Sequence, residues 1–292
     1  MWTKIDYEKL GEAVNGTVRF LDDCIDVSIN NYNNKKSEEV MNSKRKIGLG
    51  ICGFADMLIK MDISYDSDTA EQEAANIMSF INYKSKQASI DLAKKRGRFP
   101  AFKDKETRYH NGFIAERYGK YSTETVSSKE WKKLSREINQ YGIRNCSTTA
   151  IPPTGRSSAI IGASAAIEPY FNLTLTEEMQ EDLRAKLVDC GVKNEIDAII
   201  TKGREGRLSS KDLPAAISSI YKTCLEISPQ RHLRVVAMLQ KFTDESIAKT
   251  VNMAENSTPA DVLGVYLQAY ELGLKGITTY RNNSRTNQPK PG

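Results

Sequence analysis

Residues 152–158, Pro-Pro-Thr-Gly-Arg-Ser-Ser, constrain this chain more than any other stretch. They follow a short β-prone run, Cys146-Ser147-Thr148-Thr149-Ala150-Ile151, and precede small and apolar residues, Ala159-Ile160-Ile161-Gly162-Ala163. That order reads as strand, tight turn, helix start. The two prolines stiffen the approach and bias it toward extended backbone. Gly155 admits close approach of a ligand to the main chain. Thr154, Ser157 and Ser158 are residue types that cap the free N–H groups of a first helical turn. A helix start of this kind favours anions, because its N–H groups and its dipole face the same way. Arg156 adds a fork of donors suited to phosphate oxygens. The same residues also suit a plain helix cap with no ligand.

The rest of the composition narrows the field. A chain of 292 residues can build one large domain or two small ones. The net charge of +5 is mild, and the densest basic clusters, Lys44-Arg45-Lys46 and Lys94-Lys95-Arg96, have no aromatic residues between them. They read as solvated helix ends, so no direct nucleic-acid partner is expected. The five cysteines form no C-x-x-C pair, and with His110 and His232 as the two histidines no metal site is expected. Their odd number and wide spacing suit a reducing cytoplasm. No signal peptide or membrane-spanning run is present in the sequence.

Periodicity divides the chain into α/β blocks with no internal repeat. Leu10, Val14, Val18, Leu21 and Ile25 predict a helix from about Tyr7 to Ile25. A long helix is expected from about Thr69 to Arg96, with Asp68 and Glu71 resembling a capping box and Gly97 as its stop. Residues 102–140 are polar with few apolar anchors, and predict a surface excursion with one helix near Lys129–Tyr141. Ile167-Glu168-Pro169-Tyr170-Phe171 reads as a strand with an edge or bend at Pro169. One or two surface helices are expected between Glu177 and Gly206. Further helices are expected from Ser228-Pro229 and from Ala260 to Leu272, followed by a strand over 275–280 and a disordered tail over 282–292.

Other motifs carry less. Gly48-Leu49-Gly50-Ile51-Cys52-Gly53 satisfies G-x-G-x-x-G, but the residues before it, Asn42-Ser43-Lys44-Arg45-Lys46, are too polar for a buried parallel strand. Close packing of backbone against a neighbouring element is the better reading of these glycines. Asp22-Asp23 falls within a helix pattern and reads as a solvated face. Cys146 is the cysteine best placed for chemistry, although a small buried hydrophobe on a strand is the simpler role. No self-contained catalytic constellation is present, so no catalytic residue is assigned.

Taken in order, several segments resemble one family. Arg144-Asn145, Pro153-Thr154-Gly155, Ser158 and Ile167-Glu168-Pro169 resemble the second half of a ribonucleotide reductase catalytic subunit. Val18-Arg19-Phe20-Leu21-Asp22, Lys46-Ile47-Gly48-Leu49-Gly50 and Gly53-Phe54-Ala55-Asp56 are similar to its middle section. Gln240-Lys241-Phe242, Lys249-Thr250-Val251-Asn252 and Gly273-Leu274-Lys275-Gly276-Ile277-Thr278 are similar to its C-terminal section. The resemblance implies an α/β fold, the second half of a ten-stranded α/β barrel, over residues 1–281. It implies that Thr154, Gly155, Arg156, Ser157 and Ser158 hold the phosphates of a ribonucleotide. Arg156 and Ser157 stand where the cobalamin-dependent class leads one to expect Thr-Ile, so Arg156 either adds a phosphate contact or obstructs the usual pose.

The resemblance also implies a subclass and a partner. Thr278-Thr279 stand where the diiron-dependent class has its paired relay tyrosines. Gly276-Ile277-Thr278-Thr279-Tyr280-Arg281 is more similar to the adenosylcobalamin-dependent class, which implies adenosylcobalamin as cofactor. The family's radical cysteine lies on an Asn-x-Cys-x-Glu finger loop, and no such pattern occurs in this sequence. Met1-Trp2-Thr3 reads as a natural start. The expectation is therefore a split reductase whose N-terminal half, bearing the finger loop, is a separate chain, with a thiol reductant to regenerate it. The alternatives are a non-catalytic nucleotide-phosphate-binding or regulatory module, and a related enzyme acting on a different nucleotide.

Overall fold

A computed structural model describes residues 4–103 and 106–285. The expectations for Met1-Trp2-Thr3 and for the tail beyond residue 285 lie outside the described residues. Helices α1 (Tyr7–Ser28), α2 (Lys35–Lys44) and α3 (Phe54–Lys60) precede the long α4 (Asp68–Arg96). Next come α5 (Phe113–Arg117), α6 (Ser128–Tyr141) and the short α7 (Gly155–Ile160). Then follow α8 (Glu177–Asp189), α9 (Ile196–Arg204), α10 (Ala215–Ser218) and α11 (Pro229–Lys241). Strand β1 (Thr250–Met253), α12 (Pro259–Glu271) and strand β2 (Thr278–Arg281) complete the order.

The strands and the extended segments beside them form the α/β scaffold. β1 and β2 pair in parallel, Thr250 opposite Thr278. Two single parallel bridges, Leu49 with Thr149 and Ile151 with Ile247, extend that arrangement. Segments 47–51, 147–151, 245–253 and 278–281 thus run side by side in one direction, as in the second half of an α/β barrel. The glycine segment joins this array through backbone bonds, with Leu49 N donating to Thr148 O at 2.8 Å and Ala150 N to Leu49 O at 3.0 Å. A Cβ on Gly50 would stand 2.5 Å from the Ala150 carbonyl oxygen and 2.7 Å from Pro152 Cδ. The glycines therefore serve close packing, as their polar approach predicts.

α4 is the central pillar. Its apolar Ala74, Ile77, Met78, Ile81 and Ile90 are buried, and so are the polar Asn76, Ser79, Asn82, Ser85, Lys86 and Ser89. It packs against α1, α6 and α11, so it has no wholly solvated face. Its N-cap is Ser67, whose Oγ accepts the Ala70 N–H at 3.1 Å. The expected Asp68–Glu71 capping box does not form, because Arg231 and Arg234 of α11 take both carboxylates. Gly97 ends α4 at φ 84°, as expected of a glycine stop.

Three other expectations are corrected. The segment over 102–140 is no surface excursion: Phe102, Tyr109, Ile114, Tyr118, Val126 and Trp131 are buried in the main core. Phe102, Tyr109, Tyr118 and Val126 lie outside the helices, where no helical periodicity can reveal them, while Ile114 and Trp131 sit on α5 and α6. Residues 167–171 form no strand, because Ala166 has φ 43°, turning the backbone, and Pro169 lacks an N–H for a ladder. The start of the tail is ordered, with Asn282 N donating to Met253 O at 2.9 Å. Among the described residues no helix is long and apolar enough to cross a membrane.

Candidate functional site

The 154–158 turn sits just beyond the end of the 147–151 segment. That segment is held on both sides, by Leu49 on one and by Ser246–Ala248 on the other. Asp244 pins its centre: one carboxylate oxygen accepts the Thr148 N–H at 2.8 Å and the Thr149 N–H at 3.2 Å. Lys86 Nζ reaches the same oxygen at 2.7 Å, and the Tyr118 hydroxyl donates to the other. Burial pushes the Asp244 carboxyl upward, but Lys86, Tyr118 and the Thr148 N–H overcome it and hold it below the usual carboxylate range. Burial also lowers Lys86, partly offset by Asp244.

Thr154 turns the chain. It adopts the left-handed region at φ 52°, uncommon for a β-branched residue. Its Oγ1 accepts the Ala166 N–H at 2.7 Å, closing a loop of twelve residues. Its carbonyl accepts from Ser158 N and Ser158 Oγ, each at 2.8 Å, and from Ser157 Oγ at 3.1 Å. The sequence expectation that Thr154, Ser157 and Ser158 cap α7 is therefore corrected, since their hydroxyls are spent within the turn and no side chain caps α7. The first N–H groups of α7 are thus left without a side-chain cap. Gly155 has open space where a Cβ would stand. Arg156 and Ser157 are exposed, whereas Ser158 is buried and shapes the turn from behind.

The opposite side of the turn rests on α3. Gly53, at φ 76°, opens α3 and donates its N–H to Ser164 O at 2.7 Å. Asp56 accepts the Ser164 N–H at 2.6 Å and the Tyr170 hydroxyl. Next in the chain, Glu168 accepts the Thr250 N–H at 2.7 Å and pairs with the buried Lys249. Burial lowers Lys249, and Glu168 opposes that shift. Tyr65 donates to Ile167 O at 2.8 Å. The segment over 163–170 is thus clamped to α3 and β1 by side chains, in place of a strand ladder.

Other candidates prove structural. Asp22 is fully buried, correcting its reading as a solvated face. It pairs with Arg45, Arg96 and Arg144 and accepts from Asn145 Nδ2 at 3.0 Å. Those arginines meet the charge of the Asp22–Asp23–Asp26 group. Cys146 is half-buried, and burial pushes its thiol up against a smaller opposing pull from Lys46, so it is a thiol at neutral pH. The described cysteines are all free. Sequence reasoning passed over Asp244, Asp56, Lys86 and Lys249. Only the Gly53-Phe54-Ala55-Asp56 and Lys249-Thr250-Val251-Asn252 matches touched two of them.

Comparison with known proteins agrees with this geometry. Residues 2–280 match the family described as "Ribonucleotide reductase, barrel domain". The vitamin B12-dependent ribonucleoside-diphosphate reductase of Thermoplasma acidophilum is 36% identical over 294 residues, covering 98% of this chain and 34% of that protein. Its namesake in Mycobacterium tuberculosis strain H37Rv is 33% identical over 303 residues, covering 99% of this chain and 38% of that protein. The chain thus spans about a third of the length of these curated relatives. Among solved structures, the Actinobacillus ureae class Id ribonucleotide reductase alpha subunit superposes with a TM-score of 0.71 at 24% identity, covering 93% of this chain and 46% of that one. That likeness supports the parallel array as a barrel fold. The family match over nearly the whole chain, joined to that fold, establishes that this chain belongs to the ribonucleotide reductase barrel-domain family.

Proposed function

We propose that this chain is the phosphate-holding C-terminal part of a split ribonucleotide reductase, working with a partner chain to reduce ribonucleotides to deoxyribonucleotides. One observation carries the reading: the 154–158 turn presents uncapped helical N–H groups, an open glycine and an exposed arginine at the end of a braced parallel segment. Such groups bind phosphate oxygens without any rearrangement of the turn. Thr154, Gly155, Arg156 and Ser157 hold the phosphates, and Ser158 holds the turn. The ribose then lies over the barrel mouth, positioned for chemistry by groups outside residues 1–292.

The radical cysteine comes from the partner's Asn-x-Cys-x-Glu loop, because no such loop occurs in this sequence. Ile160 and Ile161, 84% and 66% exposed beside the turn, are apolar surface that a partner would cover. A dithiol supplies the two electrons of the reduction and leaves as a disulfide, in a reducing cytoplasm. Adenosylcobalamin, implied by the names of the two B12-dependent relatives, would supply the radical-forming chemistry when bound. The described residues alone do not fit it: the cavity beside residues 51–57 is about 560 Å³, small for a corrinoid with its nucleotide loop, and has a largely apolar lining with few donors for the corrin's amide side chains. Its site belongs mainly to the partner.

Isolation of the native complex tests this. Co-purification with a chain bearing an Asn-x-Cys-x-Glu loop is expected. A stable species with no such chain would overturn the split reading and favour a phosphate-binding module without turnover.

A further inference from the structure

A second anion site lies away from the phosphate turn. A cavity of about 410 Å³ opens between the 117–121 turn, the C-terminal half of α11 and the end of α12. Its lining brings together Arg117, Lys120, Arg234, Lys241 and Lys275 against one carboxylate, Glu71. Glu71 is already shared by Arg231 and Arg234. The acids nearest Lys275 are also matched, Asp244 by Lys86 and Glu245 by Lys46.

Among the described residues, Arg117, Lys120, Lys241 and Lys275 have no carboxylate in salt-bridge range. Arg117 donates to the carbonyls of Thr243 and Asp244 at 2.9 and 3.2 Å. Lys275 donates to those of Asp244 and Glu245 at 2.7 and 2.8 Å. These bonds hold the two cations in place without neutralising them. Burial lowers Lys275 and Arg117 adds to the shift, while Glu245 and Asp244 oppose it. Lys120 and Lys241 stand 5.1 and 5.4 Å from the centre of the Tyr121 ring, so two ammonium groups gather at one aromatic side chain.

The cavity lies at the start of the 245–253 segment, whereas the 154–158 turn follows the end of 147–151. Those segments run in parallel, so the two places lie toward opposite ends of the array. One substrate phosphate group cannot serve both.

We propose that this cavity binds a small molecule carrying two or more phosphate groups, distinct from the substrate held at the 154–158 turn. The fixed cations Arg117 and Lys275 form its floor, Lys120 and Lys241 close over the anion, and Tyr121 offers a face on which an attached ring can stack. The assignment is independent of whether the chain acts in a split reductase.

Hydrogen exchange of the whole chain, titrated with inorganic tripolyphosphate and separately with ATP, tests it. Slower exchange at residues 117–121, 238–241 and 272–275 is expected. In a Lys120→Ala/Lys241→Ala variant, the concentration needed for that protection should rise about tenfold or more, since two charge-assisted contacts are lost. Lys120→Arg/Lys241→Arg should keep it, and Arg156→Ala should leave it unchanged. Tighter protection by ATP identifies a nucleotide as the source, and equal protection identifies a bare polyphosphate. Either result supports the site. Absence of protection at these residues, or protection lost in Arg156→Ala but kept in the double alanine variant, would overturn it.

Discussion

Thr154 Oγ1 accepts the Ala166 N–H at 2.7 Å, and that single bond closes the turn on which the proposed phosphate site is built. Removing the oxygen leaves the buried Ala166 N–H without that partner. Thr154→Ala should cost about 1–3 kcal/mol. It should also raise KM for the ribonucleotide more than it lowers kcat. Thr154→Ser should restore most of both. Chemical denaturation and steady-state kinetics of the reconstituted complex read these effects.

Gly50 and Gly155 make opposite predictions. A methyl at Gly50 collides with the Ala150 carbonyl oxygen and with the stiff ring of Pro152. Gly50→Ala should destabilise the fold by about 1–3 kcal/mol, as overpacking does. Gly155→Ala meets open space and should leave the melting temperature nearly unchanged, while crowding any phosphate at the turn.

Arg156 is exposed and bears on the ligand alone. Arg156→Ala should leave stability unaltered and weaken ribonucleotide binding about tenfold, the scale of one charge-assisted contact. Unchanged binding would mean that Arg156 makes no phosphate contact, and tighter binding that it obstructs the phosphate pose.

His232 sets a pH dependence. Burial first, and the Lys249 ammonium second, push it well below the ordinary histidine value, while the Cys224 carbonyl pulls weakly the other way. The unfolded chain binds a proton near pH 6.5 that the folded chain refuses. Stability is therefore full above about pH 6.5 and falls as the pH drops below it, by up to about 1.4 kcal/mol per unit. His232→Gln should flatten that slope between pH 5 and 6.5, above the range where carboxylates titrate. Melting temperature against pH is the measurement.

The helices were legible because their evidence is local. α4, α11 and α12 announce themselves by 3.6-residue periodicity and by Gly97, Pro229 and Gly273 at their ends. The phosphate turn was legible for the same reason, since its residues are contiguous. Its supports were not. Asp22 looks like any surface aspartate until Arg144, 122 positions away, arrives beside it. Lys86 sits in a charged stretch of α4, and Asp244, 158 positions on, makes its burial tolerable. Residues 167–171 read as a strand from their β-prone residues, but the 163–170 loop is clamped by Asp56, Tyr65 and Lys249, which local propensity cannot register.

Turnover tests the central claim most directly. The chain, combined with the partner carrying the finger-loop cysteine, adenosylcobalamin and a dithiol, should convert a ribonucleotide to its deoxyribonucleotide. Neither polypeptide alone should do so, and Gly155→Asp should abolish product by placing a carboxylate where phosphate must bind. A complete complex that yields no deoxyribonucleotide, or one whose yield is indifferent to Gly155→Asp, would contradict the account.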